Sequence, residues 1–368
     1  MESDNKLFLL DAYALIYRAY YAFIKNPRIN SKGFNTSAIL GFVNTLEEVL
    51  KKENPSHIGV AFDPSGPTFR HEAFEQYKAQ REETPEAIRL SVPIIKDIIH
   101  AYRIPILEVA GYEADDVIGT LATEAGRQGI TTYMMTPDKD YGQLVTDNVF
   151  MYRPKHTGGF EVMGIEEVKA KFDIQSPAQV IDMLGLMGDA SDNIPGCPGV
   201  GEKTAQKLIA EFGSIENLLE HTDQLKGALK TKVETNKELI TFSKFLATIK
   251  IDVPIQLEMD KLVREQADED SLRRIFEELE FRTLIDRVLK KENSAGGVTM
   301  ATGSKTATAK SAPSPLPLFP EEGGAIQGDL FANFTGNEAG EAKKSNLETL
   351  ETLNCDYQLI DTEKKRAE

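Results

Sequence analysis

Short apolar runs alternate with amphipathic stretches from residue 6 to about residue 140. Between the first two runs lies a stretch with helical spacing, opened by Thr36 or Ser37 and stopped by Pro55. Strands that alternate with helices in this way predict an α/β fold with a parallel, doubly wound sheet. The runs that we expect to form parallel strands lie at 7–10, 57–62, 106–109 and 130–135.

Helical spacing dominates the chain after a predicted β-hairpin, VFMYRP and FEVMG around KHTGG. One helix is expected in GIEEVKAKF and another after Ser176 and Pro177. A third should run from Glu202 to Phe212 and end at Gly213. We therefore expect a first unit over residues 1–175, with the sheet, and a helical unit over residues 176–292.

The composition changes beyond residue 292. Residues 293–346 are rich in Gly, Ala, Ser, Thr and Pro and show no apolar periodicity. Such a stretch cannot bury enough apolar surface to fold, so we expect a disordered linker there. Residues 347–368 contain the strand-like YQLID and the beginning of a helix, which is what the truncated start of another domain looks like.

Carboxylates follow the predicted strands where those strands end. Asp11 and Asp63 come directly after the first two strands, and Asp138 and Asp140 come after ITTYMM. Because parallel strands end at one edge of the sheet, we expect these acids to meet there. More acids stand at the head of the helix that starts GYEADD and in GDASDN. The full set is Asp11, Asp63, Glu113, Asp115, Asp116, Asp138, Asp140, Asp189 and Asp192.

Acids gathered at one edge repel each other unless a cation lies among them. Ligation by oxygen alone favours Mg²⁺ or Mn²⁺ over zinc. The sequence also permits a simpler interpretation of residues 111–144, an acidic helix start and an unrelated surface turn. Negative charge at the first turn of a helix is favourable by itself, because the helix dipole is positive there.

Cations and aromatic residues alternate in PSGPTFRHEAFEQYKAQREETPEAI. On a helix, the side chains of Arg70, Phe74, Tyr77, Lys78 and Arg81 would share one face. Such a face suits a phosphate backbone with exposed bases, since guanidinium and ammonium groups bind phosphates and rings stack on bases. An ordinary amphipathic helix with basic residues at its margin is the alternative.

The segment PGCPGVGEKTAQKLIAEFG has the pattern of a helix-hairpin-helix. Gly199 and Gly201 allow a tight turn with exposed backbone amides at the start of a helix. Amides in that position bind a DNA phosphate without reading its sequence, here assisted by Lys203 and Thr204. A glycine-rich turn between structural helices is the alternative.

Charge and composition exclude several classes of protein. Two distant cysteines and five scattered histidines argue against disulfides and a zinc site. No apolar run reaches the length of a membrane span, and no signal peptide is evident, so a cytoplasmic protein is expected. The net charge of −16 by itself argues against a nucleic-acid partner. Nine of the acids are candidate metal ligands, however, so the distribution of charge matters more than its sum.

The motifs DAYALIYRAYYAF, VAFDPSGPTFRHEAFEQYKAQREETP, GYEADDVIGTLA, TPDKDYGQLV and GDASDNIPGCPGVGEKTAQKLI occur in this order. Together they resemble the 5′→3′ exonuclease, or flap endonuclease, domain at the N-terminus of bacterial DNA polymerase I. The resemblance covers residues 6–290. It implies a PIN-like nuclease core with a helical arch at about residues 64–92, followed by a helix-hairpin-helix region that binds DNA. It also implies DNA repair and removal of RNA primers from Okazaki fragments, by a monomer associated with the nucleoid.

The resemblance also implies roles for single residues. The nine carboxylates match the family's ligands for two Mg²⁺ ions, which hydrolyse a phosphodiester in DNA with 5′ flaps, nicks or RNA primers. Tyr77, Lys78 and Arg81 match catalytic residues at the base of the arch, and Arg70 is expected to contact DNA beside them. The glycine hairpin matches an element that holds K⁺ through backbone carbonyls. Cys197 stands where an aliphatic residue is more familiar. Polymerase activity is expected only from a part that this chain lacks, since YQLID resembles the start of the domain that follows, a 3′→5′ exonuclease-like domain.

Two further hypotheses concern partners and rival functions. Gln327, Leu330 and Phe331 in QGDLF resemble the short peptide by which bacterial repair proteins bind the sliding clamp. A phosphatase of the haloacid dehalogenase class also has Asp after its first strand, but needs a second acid where this chain has Tyr13. A DNA-binding scaffold without catalysis would leave the nine carboxylates unexplained.

Overall fold

A six-stranded sheet organises the N-terminal half of the computed structural model, which describes residues 5–155 and 158–289. The strands lie side by side in the order β3-β2-β1-β4-β5-β6. The first five are parallel, and β6 pairs antiparallel with β5 as the predicted hairpin. The expected α/β fold is confirmed. The strands are β1 Lys6–Asp11, β2 His57–Ala61, β3 Ile106–Leu107, β4 Thr131–Met135, β5 Val149–Pro154 and β6 Phe160–Met163.

Alternating side chains of the central strand enter two separate apolar cores. Leu7 and Leu9 pack on one face of the sheet, whereas Phe8 and Leu10 pack on the other. All four are fully buried, because helices cover both faces of a parallel sheet. The candidate acids lie at the edge where the parallel strands end, and several of them are buried.

The helices follow the sequence closely. α8 ends at Phe212, and Gly213 follows with a φ of 79°, as its glycine predicts. The helices are α1 Ala12–Ala22, α2 Ser37–Lys52, α3 Phe69–Ala73, α4 Glu86–Ala101, α5 Ala114–Arg127, α6 Ile165–Phe172, α7 Gln179–Met187, α8 Glu202–Phe212, α9 Ile215–Glu220, α10 Gly227–Thr235, α11 Lys237–Ala247, α12 Met259–Leu262, α13 Glu269–Glu278 and α14 Arg282–Leu289, with 3₁₀ helices at Lys139–Leu144 and Thr222–Gln224.

The predicted basic and aromatic helix is wrong. α3 ends at Ala73, and turns connect it to α4, which begins at Glu86. Lys78 has a left-handed φ of 56°, which an α-helix does not allow. Its backbone N–H donates to the carbonyl of Asp192 at 3.0 Å instead of to a carbonyl one turn earlier. Contacts with the distant loop at 188–193 therefore override the local helical spacing.

The last described helices return to the sheet. Leu272 and Phe276 of α13 are fully buried in the core that contains Phe8 and Leu10. The boundary expected at residue 175 stays a prediction. No helix in the described ranges is long and apolar enough to cross a membrane. The expected linker at 293–346, the segment at 347–368 and the clamp peptide with Gln327, Leu330 and Phe331 lie outside the described residues.

Candidate active site

Asp11 lies where β1 passes into α1. One carboxylate oxygen, Oδ1, caps the helix by accepting from the backbone N–H of Ala14 at 3.1 Å. The other accepts from the hydroxyl of Thr136, at the end of the neighbouring strand β4, at 2.9 Å. Asp11 is 6 % exposed. Two adjacent strands thus hold this acid at the edge where the sequence predicted it.

The start of α5 brings three acids to the same edge. Glu113 is the N-cap residue, and Asp115 and Asp116 lie in the first turn. Asp63, beyond the end of β2, accepts from the backbone N–H of Ala114 at 2.8 Å. The unpaired amides and the positive end of the helix dipole favour this negative charge.

Two further acids follow β4. The backbone N–H of Asp138 donates to the Thr136 hydroxyl at 3.1 Å, and the N–H of Asp140 donates to Oδ1 of Asp138 at 2.9 Å. The oxygen Oδ1 of Asp140 is buried and has no hydrogen-bond partner among the described residues. A buried carboxylate oxygen without a donor is unfavourable, and a cation would satisfy it.

The pKa values of several of these acids are raised above their ordinary values. Burial, reinforced by Asp63, raises the pKa of Asp11 to about 7. Burial also raises the pKa of Asp63, although Lys78 opposes the shift. The pKa values of Asp115, Asp138 and Asp140 are raised as well, first by burial and then, for Asp115 and Asp140, by neighbouring carboxylates. Acids that resist ionisation in this way would be stabilised by a metal cation among them.

A second group of acids is neutralised by cations of the chain. Nζ of Lys78 lies 2.7 Å from Oε1 of Glu113 and 3.6 Å from Oδ2 of Asp192. Arg81 also pairs with Asp192, and the hydroxyl of Tyr77 donates to both acids at 3.0 Å. Burial alone would raise the pKa of Glu113 and of Asp192, but Lys78 and its neighbouring cations lower both. The three expected catalytic residues therefore meet at the acids.

The structure contradicts the expectation that Arg70 contacts DNA. Its side chain is 3 % exposed, and its guanidinium holds Asp116 with two hydrogen bonds of 2.8 Å. It also donates to Glu113 and to the carbonyls of Leu246 and Thr248. A guanidinium enclosed by five acceptors has no free face for a phosphate, because all its donors point inward.

Asp116 was expected to bind a metal ion, but its carboxylate is engaged within the chain. Its two oxygens accept two hydrogen bonds from Arg70, one from the N–H of Lys250 and one from the N–H of Glu113. An ionised carboxylate has about four lone-pair sites, so this one has none left for a metal. Asp116 joins α5 to the segment after α11.

The remaining acids, Asp189 and Asp192, lie in the loop after α7. Asp189 accepts from the N–H of Ser191 at 2.7 Å and lies 3.3 Å from Nζ of Lys139. In residues 5–155 and 158–289, no three acids, histidines or cysteines converge into a ready-made metal-binding group. The expected acids are thus at one edge but not in a ligand geometry, and lysine or arginine side chains pair with four of them, Glu113, Asp116, Asp189 and Asp192.

The glycine hairpin is formed as the sequence predicts. Gly199 has a φ of 77°, and a Cβ there would lie 2.5 Å from Nζ of Lys232. Open space surrounds Gly201, which caps α8. Lys203 is exposed and Thr204 half-buried beside it. The start of α8 is therefore open to a ligand. Lys232 donates to the carbonyl of Gly199 at 3.2 Å, a group of the kind expected to hold K⁺.

Two residues that support the acids were missed. Thr136 is buried and donates to Asp11, and Tyr141 is buried and donates to Asp115 at 2.8 Å. Their closeness to Asp138 and Asp140 in TPDKDYGQL was the only signal in the sequence. A buried hydroxyl must find an acceptor, but the sequence does not say which.

Known proteins resemble this chain in sequence. Residues 6–173 match the 5′-3′ exonuclease N-terminal resolvase-like domain, and residues 175–270 match the 5′-3′ exonuclease C-terminal SAM fold. DNA polymerase I of Bacillus subtilis is 43% identical over 291 residues, which are 78% of this chain and 33% of that protein. DNA polymerase I of Bacillus caldotenax is 40% identical over 287 residues, which are 77% of this chain and 32% of that protein. The chain spans about a third of the length of these relatives.

Solved structures share the fold. A T5 5′-exonuclease with bound divalent zinc has a TM-score of 0.56 at 22% identity, covering 75% of this chain and 99% of that one. The catalytic core of Rad2 in complex with DNA has a TM-score of 0.54 at 16% identity, covering 78% and 92%. With the two family matches in consecutive order over residues 6–270, the chain belongs to the 5′-3′ exonuclease family.

Proposed function

We propose that this chain is a metal-dependent, structure-specific nuclease that hydrolyses DNA phosphodiesters at 5′ ends and 5′ flaps. The observation that carries the proposal is the group of buried acids with raised pKa values at the carboxyl edge of the sheet, including an oxygen of Asp140 without a donor. Membership of the 5′-3′ exonuclease family supports it. A protein of the same fold, a T5 flap endonuclease, has been solved with DNA and metal ions.

The donor set suits Mg²⁺ or Mn²⁺, because it consists of carboxylate oxygens. When bound, two such ions supply an activated water and stabilise the leaving oxygen. Asp116 is not among the proposed ligands, because its oxygens are already engaged. The acids that we propose to hold the ions are Asp11, Asp63, Glu113, Asp115, Asp138, Asp140, Asp189 and Asp192.

The cations beside the acids would bind the substrate. Lys78 and Arg81 carry positive charge into the site and would exchange their carboxylate partners for the phosphate that is cleaved. Tyr77 would orient both by its hydrogen bonds to Glu113 and Asp192. The hairpin with Gly199, Gly201, Lys203 and Thr204 would hold a phosphate of the duplex, with K⁺ at its carbonyls.

The relatives support a proposal for the cellular role. We propose that the chain acts as part of a DNA polymerase I, removing RNA primers from Okazaki fragments and repairing DNA in the bacterial cytoplasm. Binding to the sliding clamp through Gln327, Leu330 and Phe331, and a monomeric state, stay proposals too.

Cleavage of a labelled 5′-flap duplex tests the proposal. Incision near the junction with Mg²⁺, absent with EDTA and weaker on the matching single strand, is expected. Binding of the duplex without cleavage at any divalent-metal concentration would contradict it and favour a DNA-binding scaffold.

A further inference from the structure

Tyr141 is the largest fully buried side chain of the described residues. It follows Asp140 in the 3₁₀ helix Lys139–Leu144, and its ring packs in the apolar core beneath α5. The phenol hydroxyl leaves that core and donates to Oδ1 of Asp115 at 2.8 Å. One side chain thus connects the segment after β4 to the first turn of α5.

Asp115 differs from Asp11, Asp63 and Asp116 in that its hydrogen bond comes from a side chain alone, with no backbone N–H among the described residues. Asp11 is held by a backbone N–H and a threonine, and Asp63 by a backbone N–H. Asp116 is held by four hydrogen bonds. Among the described residues, Asp115 receives the one hydrogen bond from Tyr141. Without the phenol, nothing described here would fix the orientation of its carboxylate.

The contact also distinguishes the two oxygens of Asp115. Oδ1 accepts from the phenol, whereas Oδ2 accepts no hydrogen bond from the described residues and is the more open to a cation. Partners in the second coordination sphere orient metal ligands in this way, and a ligand already in one orientation loses less conformational freedom when the metal binds. A phenol is suited to the task, because it donates a hydrogen bond and carries no charge that would compete with a metal.

We propose that Tyr141 is a positioning residue for the metal site, which orients Asp115 and thereby sets the affinity for a divalent ion. The inference rests on the proposed function only in taking Asp115 as a metal ligand. It assigns Tyr141 no contact with the substrate and no part in proton transfer.

Tyr141→Phe tests the proposal, because it removes the hydroxyl and keeps the ring. The matched control is Tyr102→Phe, since Tyr102 is also buried and donates to a carboxylate, that of Glu47, at 2.6 Å, but in the core on the other face of the sheet. Mn²⁺ binding to the full chain is measured by calorimetry, without DNA. We expect binding about tenfold weaker or more for Tyr141→Phe, and unchanged binding for Tyr102→Phe.

Urea unfolding of both variants shows whether a loss of stability explains the result. We expect Tyr141→Phe and Tyr102→Phe to lose the same free energy of unfolding, whereas Mn²⁺ binding weakens only in Tyr141→Phe. A second test places Tyr141→Phe in an Asp115→Asn background, where it should change Mn²⁺ affinity no further. The inference would be overturned if Tyr141→Phe bound Mn²⁺ as tightly as the unsubstituted chain. It would also be overturned if Tyr141→Phe weakened Mn²⁺ binding as much in the Asp115→Asn background as it does alone.

The two proposals fail differently. If the unsubstituted chain binds Mn²⁺ and Tyr141→Phe weakens the binding, the inference stands even if no flap is cleaved. In active protein, Tyr141→Phe should raise the Mg²⁺ concentration needed for half-maximal cleavage and leave duplex binding in EDTA unchanged. A chain that binds no Mn²⁺ would overturn the inference together with the metal-dependent part of the proposed function.

Discussion

Acids of two kinds lie at the carboxyl edge of this sheet. The paired acids contact a lysine or arginine side chain; they are Glu113, Asp116, Asp189 and Asp192. Of the uncompensated acids, Asp11, Asp115 and Asp138 accept from hydroxyls or backbone amides, and Oδ1 of Asp140 has no hydrogen-bond partner among the described residues. The pKa is lowered for Glu113 and Asp192 but raised for all four uncompensated acids.

Cations of the chain itself stabilise the paired acids, whereas the uncompensated acids are left for a bound cation to stabilise. Removing a cation from a buried paired acid leaves a buried charge alone, which is unfavourable. The uncompensated acids already bear that penalty, so they gain from any cation that joins them. The pair of Arg70 and Asp116 should therefore contribute to folding, and the uncompensated acids to metal binding. Glu113 and Asp192 can join them once Lys78 and Arg81 exchange their carboxylate partners for a phosphate.

The largest expected effect is that of Asp138→Ala on cleavage. Metal ions stabilise the charge of the transition state by several kcal/mol, so losing a ligand should slow flap cleavage by about 10³-fold. Duplex binding in EDTA should be retained, since the proposed phosphate contacts of the hairpin do not involve Asp138. Asp147→Ala, at an exposed acid nearby in the chain, is the control. Wild-type rates for Asp138→Ala would remove it from the site.

Arg70→Ala should instead act on folding. It leaves Asp116 buried without its guanidinium, and breaking a buried ion pair typically costs about 3–5 kcal/mol. Urea unfolding measures the loss. Arg127→Ala, which removes a surface pair with Glu124, should cost about 1 kcal/mol or less. If Arg70→Ala and Arg127→Ala lost equal free energies of unfolding, the pair of Arg70 and Asp116 would not support the fold.

The third expected effect is a pH dependence of stability in EDTA. The pKa of Asp11 is about 7 in the folded protein, whereas an aspartate in the unfolded chain has the ordinary value of 3.8. Between these values the folded state holds a proton that the unfolded chain releases, so the free energy of unfolding should fall as pH rises. The lowered pKa values of Glu113 and Asp192 act in the opposite sense and matter only at lower pH.

Urea midpoints between about pH 4 and 7 measure this slope. Saturating Mg²⁺ should flatten it by stabilising the ionised acids, and at 100 times its Kd should add about 2.7 kcal/mol near neutral pH. Asp11→Asn should reduce the slope without added metal. A slope that is the same with and without Mg²⁺ would mean that the uncompensated acids do not bind the ion.

Local patterns in the sequence determined the strands, most helices and the edge where the acids gather. Alternation places Leu7 and Leu9 opposite Phe8 and Leu10, and a strand that ends at Asp11 delivers its carboxylate to the sheet's edge. Glycine in a left-handed conformation ends α8 at a position that the sequence predicts. Each of these features depends on neighbours within a few residues.

Only the tertiary structure decided which acids meet a cation. Arg70 lies 46 residues from Asp116, and Tyr141 lies 26 residues from Asp115. The spacing that placed Arg70 and Lys78 on one helical face was a local signal, and contacts with residues 188–193 and with the segment after α11 outweighed it. Ion pairs and buried hydroxyls are satisfied by whichever partner the fold brings near. For that reason the sequence determined the acids themselves, and the fold divided them into two kinds.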